Sequence, residues 1–379
     1  MTEQDLLCQF LNKNIKINTI SNLLLIINFL NMKNTINIKS TLFATALFLA
    51  AFMNSFAQET PPAATVFAGS LDMYYKYDFS KFDNSKTSFT RSNDSFELGM
   101  ASIEASHKIG KASVFVDLGF GTRASEFTYN DASTTFMVKQ MYVNYDFSPS
   151  FKVTAGSFGT HIGYELLDAI DNKNYSMSYA FTNGPFFNTG VKAQYTVGKY
   201  NFMAGVTNPT DFKSAVRAGS TQKTVIAQLG YTGDTGSAFF NFTSGSVNPI
   251  STANKTQFDL VASKKIGEKL SLGFNGTYAL TTDDVVSGTN SWYSVVGYAN
   301  VTLKKNLSLA YRAEYFDDKD GVVGLAATVF ANTLSLNFKE GNLTFIPEFR
   351  LDSASENIFT DGAPQKTTAY VLLATTYSF

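Results

Sequence analysis

From Ala64 to Phe379 the chain repeats one pattern: apolar and polar residues alternate with a period of two over long stretches. Period two places successive side chains on opposite faces of a strand. Leu71, Met73, Tyr75, Tyr77 and Phe79 alternate with Asp72, Tyr74, Lys76 and Asp78. Met141, Val143, Tyr145 and Phe147 alternate with Gln140, Tyr142, Asn144 and Asp146. Leu307, Leu309, Tyr311, Ala313 and Tyr315 alternate with Ser308, Arg312 and Glu314, and Phe349 and Leu351 with Glu348 and Arg350. Strands of soluble sandwiches average five or six residues. These run to about ten or more, the length a tilted strand needs to cross a bilayer.

Two kinds of connection take turns along the chain. Short turns fall at Ile109-Gly110-Lys111, Ser148-Pro149-Ser150, Gly198-Lys199, 233–236, Gly267-Glu268-Lys269, Lys304-Lys305-Asn306 and Glu340-Gly341-Asn342. Longer polar stretches lie near 80–94, 128–134, 159–186, 208–221, 247–254, 282–290, 317–321 and 353–366. Seven short turns and eight long loops join sixteen strands, counted from the sequence. Short turns on one side, long loops on the other and an even strand number describe an all-β transmembrane antiparallel barrel of the outer-membrane kind. The parity slips near Ser102 and Trp292, so the count carries a margin of two strands.

Composition agrees. Charged residues make up 16% and aromatics 15% of the chain, whereas soluble domains carry about 25% charge. A disordered chain would be poor in aromatics, and after residue 57 no apolar run reaches the roughly 18 residues of a spanning helix.

Residues 32–57 read as a secretory signal: Lys33 and Lys39 form a basic start, Thr41 to Met53 an apolar run, and Ser55-Phe56-Ala57 a small-residue cleavage site. Cleavage is expected after Ala57. Residues 1–31, rich in Leu, Ile and Asn, resemble translated AT-rich DNA and are expected to be a mis-annotated extension. Removal of residues 1–57 takes away four lysines, two acids and Cys8, the single cysteine. The region 58–379 then holds 26 basic and 29 acidic side chains, a net charge of −3, with no basic footprint for nucleic acid and no thiol.

The chain ends YVLLATTYSF, with Val371, Leu373, Thr375, Tyr377 and Phe379 on one face. In a soluble protein this strand would be an exposed, aggregation-prone edge; in a barrel it pairs with the first strand. It resembles the assembly signal of outer-membrane proteins, and that resemblance implies that the insertion machinery reads Tyr377 and Phe379. The stretch GTHIGYELLDAIDNKNYSMSYAFTNGPFFNTGVKAQY, 159–195, is similar to the signature region of the OmpL-like β-barrel porins. GSLDMYYKYDFS, SFELGMASIEASHK, DLGFG and GVTNPTDF resemble that family in order and spacing, so the likeness spans Gly69 to Phe379. The resemblance implies a Gram-negative outer-membrane porin and leaves its solutes open.

The longest insertion, 159–186, carries Tyr164, Leu166, Leu167, Ile170, Tyr175, Met177, Tyr179 and Phe181, too many apolar side chains for a solvated loop. A loop of this length is usually functional or disordered. It is expected to fold into the lumen and narrow it, with Glu165, Asp168 and Asp171 facing the water of the pore. Arg123, Lys192, Arg312 and Arg350 fall on lumen-facing parity of nearby or wall strands. Acids opposed to bases across such a constriction set a field that discriminates against apolar solutes. The alternative is that the carboxylates are outer-surface charges and the apolar residues cap the rim.

Catalytic, cofactor and metal sites are not expected. His107 and His161 are the only histidines, and a zinc or transition-metal site needs three or four convergent ligands. A wall lipid hydrolase would need a histidine near the outer leaflet, whereas His107 lies beside the short turn at Gly110. A plugged surface-binding or adhesion barrel remains the other alternative. The reading is therefore a porin embedded in outer-membrane lipid, passing small hydrophilic solutes by diffusion; whether it forms a homotrimer stays open.

Overall fold

The computed structural model describes residues 64–131, 137–215, 222–251, 253–283 and 288–379. The signal segment 32–57 and the extension 1–31 lie outside the described residues, as do parts of the loops 128–134, 208–221, 247–254 and 282–290. In chain order the elements are β1 (Val66–Asp78), β2 (Ser95–Ile109), β3 (Ala112–Phe120), α1 (Thr122–Phe127), β4 (Val138–Ser148) and β5 (Phe151–Gly159). A 3-10 turn (Ala169–Asp171) and α2 (Tyr179–Asn183) precede β6 (Phe187–Val197), β7 (Tyr200–Thr207), β8 (Thr224–Thr232), β9 (Gly236–Ser246) and β10 (Asn254–Ile266). There follow β11 (Leu270–Asp283), β12 (Gly288–Lys304), β13 (Leu307–Asp317), β14 (Thr328–Glu340) and β15 (Leu343–Ala354). The tiny hairpin β16 (Phe359–Thr360) and β17 (Pro364–Gln365) precedes β18 (Thr367–Ser378).

Sixteen of these strands, β1 to β15 and β18, close into one antiparallel barrel in which each strand pairs with its sequence neighbours. β18 completes the ring between β15 and β1, with Leu71 opposite Tyr377 and Tyr77 opposite Val371. Closure leaves no edge, so the backbone groups of every strand have partners even in hydrocarbon. The seven short turns and eight longer connections alternate as the sequence indicates. The two-residue turn between β6 and β7 depends on Gly198, whose φ of 57° is left-handed and suits the primed turn of a tight hairpin.

Side chains divide by parity. On β18 Leu373 and Val371 face outward and are exposed, while Tyr370, Leu372 and Ala374 are buried inside. Leu373 sits near the middle of β18, opposite Tyr75 and Pro347. Leu373→Arg is expected to cost about 2–4 kcal/mol, the range for a cation at the bilayer midplane of such a barrel. Denaturant unfolding from lipid vesicles measures it, and an unchanged midpoint would place Leu373 away from lipid.

The two parity slips have different causes. Near Ser102 the β1–β2 register shifts between Asp72 and Met73, a bulge at Gly99. Near Trp292 the strand is regular. Trp292, Val296 and Tyr298 of β12 all point inward and are buried, so alternation of orientation continues while alternation of polarity stops. Sixteen-stranded barrels enclose an aqueous channel, and inward apolar residues there need something to cover them.

Candidate functional site

What covers them is the connection between β5 and β6. Residues 160–186 run across the lumen, and most of their length lacks regular secondary structure. Such a segment carries backbone N–H groups with no ladder partner, which must be satisfied once buried. The wall supplies acceptors. Gly163 N–H donates to Asp259 Oδ1 on β10 (3.0 Å) and Tyr164 N–H to Asn275 Oδ1 on β11 (3.2 Å). Glu348 on β15 accepts from Tyr175 N–H (2.7 Å) and Ser176 N–H (3.1 Å). Glu314 on β13 accepts from Tyr179 and Ala180 N–H, both at 2.7 Å, at the start of α2. A carboxylate there meets the free N–H groups and positive end of the helix. Ser178 caps the same turn by accepting from Phe181 N–H.

Cations hold the loop's carbonyls and acids. Arg312 on β13 donates to Glu165 Oε1 and to the Ser176 carbonyl, both at 2.5 Å, and to Thr333 at 3.0 Å. Arg350 on β15 donates to Asp352 (2.7 Å) and to the Met177 carbonyl (2.7 Å), and lies over the Tyr179 ring. Arg123 donates to the Leu167 carbonyl (3.1 Å) and sits between the rings of Phe89 and Tyr175, 3.8 Å from Asp72. Tyr175 also donates to Asp72.

Apolar contacts finish the seat. Tyr164 stacks on Tyr298 with ring centroids 4.2 Å apart, filling space that Gly273 leaves by having no side chain. Tyr179 packs with Trp292 and Phe316, and Tyr175 with Tyr74, Ile346 and Leu372. Met177, Phe181 and Phe186 join Phe89 and Phe127 under the loops of the long-loop side. Tyr74 is therefore covered by the loop and does not line an open wall.

The expected site residues separate into two groups. Glu165 is 6% exposed and paired with Arg312, and Asp168 is paired with Lys139 at 2.7 Å; neither stands free in water. Asp171 is exposed, with no ion pair among the described residues. Partial burial of the carboxyl, and then the neighbouring Asp168, hold it above the usual carboxylate range. Arg312, Arg350 and Arg123 are fully buried fasteners, and Arg123 belongs to α1, not to a strand. Lys192 on β6 is half-buried over the Phe158 ring, 4.2 Å from its centroid, with no ion pair among the described residues.

Sequence parity misses Lys139. Alternation with Gln140 and Tyr142 would turn it outward, but a bulge where β3 passes from Asp117 to Leu118 turns it in. There it is buried and meets Asp117 (3.0 Å), Asp168 (2.7 Å) and Ser102 (2.8 Å). Bulges re-aim side chains in this way near functional sites. The wall acids Asp259, Glu314, Glu348 and Asp352 are missed too; the signal was there in acids of inward parity with an apolar residue such as Phe316 or Ile346 next to them on the inward face.

The loop leans mainly on β9 to β15, β18 and β1, and on the opposite side Lys139 of β4 and Arg123 of α1 hold its Asp168 carboxylate and Leu167 carbonyl. Towards β2 to β5 it leaves a cavity of about 300 Å³ lined by Glu104, Asp117, Lys139, Gln140, His161 and Asp171 among others. His161 closes one corner, its Nε2 at 2.9 Å from the Phe242 carbonyl. Burial pushes its imidazole down to about 4, so the ring is neutral at ordinary pH. His107, on the wall, lies 3.0 Å from Thr65 Oγ1 through its Nδ1.

No curated protein matches the chain. Its fold is similar to three solved structures, each 12% identical. They are OmpT of Vibrio cholerae (TM-score 0.56, 85% of this chain and 99% of that chain), an anion-selective porin from Comamonas acidovorans (0.59, 84% and 100%) and the outer-membrane channel DcaP of Acinetobacter baumannii (0.54, 85% and 99%). Residues 65–379 match the family described as "Putative beta-barrel porin-2, OmpL-like". With a closed sixteen-stranded barrel, a lipid-facing apolar surface and that match over the whole barrel, the chain belongs to the OmpL-like β-barrel porins of the outer membrane.

Proposed function

We propose that the barrel is a passive pore for small hydrophilic solutes, which cross between the seated loop and the polar wall of β2 to β8. The observation that carries this reading is the one-sided seat. Apart from Lys139 and Arg123, which hold Asp168 and Leu167, the loop uses the apolar and carboxylate-bearing half of the wall and leaves inward Glu104, Gln140, Asn144, Thr154, Lys192 and Gln194 on the other half. In this reading Asp171 and Lys192 face the passing solute across the constriction. Glu165, Asp168, Arg123, Arg312 and Arg350 set its width by fixing the loop. The barrel acts as a channel and not as an enzyme. Three copies are proposed to assemble side by side, as in the trimer form of the Vibrio cholerae protein, after the insertion machinery has read Tyr377 and Phe379.

Conductance of the refolded protein in a planar bilayer, with neutral sugars of graded size, tests this. Stable steps blocked only by the larger sugars are expected. A folded, heat-modifiable barrel without conductance would overturn the open-pore reading. Replacing residues 162–185 by a short Gly-Ser link is expected to raise conductance roughly twofold or more, because a sixteen-stranded wall is wide enough for a water-filled channel by itself. An unchanged exclusion limit would show that the loop does not set it.

A further inference from the structure

At the short-turn end of the lumen, next to β2 and β4 to β7, lies a cavity of about 600 Å³. Lys108, Lys111 and Lys152 line it, with Asp146 the one acid among its lining residues. That acid is already engaged, since Lys108 Nζ lies 2.8 Å from Asp146 Oδ2. Lys152 has no ion pair among the described residues. The pairings Thr154–Lys192 and Lys152–Gln194 make Lys152 and Lys192 diagonal neighbours on the inward face of β5 and β6, a spacing of roughly 7–8 Å. Like charges at this spacing repel one another, and here they gather in a region, 58–379, whose net charge is −3. Gln194, Thr196 and Asn201 add neutral hydrogen-bonding groups to the same lining.

We infer that this mouth is a capture site for small diffusible polyanions carrying phosphate or carboxylate groups. An anion seated between Lys108, Lys111 and Lys152 offsets their mutual repulsion and takes hydrogen bonds from the amide side chains beside them. Short turns of outer-membrane barrels face the periplasm, so the capture is sided: the anion is concentrated at the periplasmic mouth. Since the site lies within the lumen, a membrane headgroup is not its ligand. This assignment rests on the pore reading for its sidedness, but binding itself does not require conduction.

Inorganic pyrophosphate is the probe. In a planar bilayer, addition to the short-turn side is expected to block current at a concentration at least tenfold lower than addition to the long-loop side. Lys108→Gln, Lys111→Gln and Lys152→Gln together should abolish that difference. Asp146→Asn, which removes the one competing acid, should sharpen the block. A conducting barrel whose block is equal from both sides and insensitive to all of these changes overturns the inference and leaves the pore reading intact. If the barrel does not conduct, the pore reading fails by itself. Titration calorimetry of pyrophosphate against the detergent-solubilised barrel then decides: binding lost in the triple variant upholds the capture site, and no binding by the unaltered protein refutes it.

Discussion

Arg312→Ala is expected to loosen the lumen loop while the barrel stays closed. The guanidinium is buried, and its removal strands Glu165, 6% exposed, together with the Ser176 carbonyl. Removing one partner of a buried ion pair costs about 3–5 kcal/mol because the other charge stays behind uncompensated. The loss falls on the loop, since the β12–β13–β14 ladder on either side of residue 312 does not use its side chain. Larger and noisier single-channel steps than those of the unaltered protein are the expected readout, with an almost unchanged heat-modification temperature. Arg312→Met combined with Glu165→Gln should restore quiet steps: neither member of the pair is left charged, and the Gln carbonyl can still accept from Ser178, which donates to Glu165 by N–H (2.8 Å) and Oγ (2.7 Å). Quiet, unenlarged steps in the single variant would mean that Arg350, Glu314 and Glu348 hold the loop without Arg312.

The second large effect concerns the seam. Deleting Tyr377, Ser378 and Phe379 removes the end of β18 that pairs with both neighbours, opposite Ser70 and Leu71 on β1 and opposite Leu343 on β15. It also removes the reciprocal bonds between Gly69 and Phe379, 3.0 and 3.2 Å, that extend the ladder by one step. Gly69 matters there: a Cβ at this position would meet the Phe379 ring and the Ser102 carbonyl. Unpaired backbone groups at an open seam cost several kcal/mol each in a bilayer. Folding into vesicles, read as the heat-modifiable band on a gel, is expected to fall about tenfold or more by that arithmetic. Retention of the full folded yield would show that neither the seam bonds nor the terminal aromatic is needed for assembly.

Particular residues show how much of this was legible in the sequence. The strand count and the turn order followed from period two and from the turn residues, because each strand's lipid face must be apolar at every second position whatever lies inside. The inward course of the loop was legible for a related reason: Tyr164, Tyr175, Met177 and Tyr179 could not sit in water. Their partners were harder to find. Trp292, Val296 and Tyr298 looked like a break in the strand because inward apolar residues blur the alternation, although their orientation is regular.

The roles of the charges were not legible at all. Parity identifies Arg312 and Arg350 as inward, but an inward arginine can face water or fasten a loop, and only the packed loop selects the second. Lys139 depends on a bulge that no alternation rule foresees. The sequence by itself determined the barrel, its closure and the presence of something folded inside it, because hydrophobic periodicity is local and repeated sixteen times. Only the tertiary structure decided which charges are consumed in holding the loop and which, like Asp171, Lys152 and Lys192, have no ion pair among the described residues, because that depends on contacts between residues more than a hundred positions apart, such as Glu165 with Arg312 and Tyr179 with Glu314.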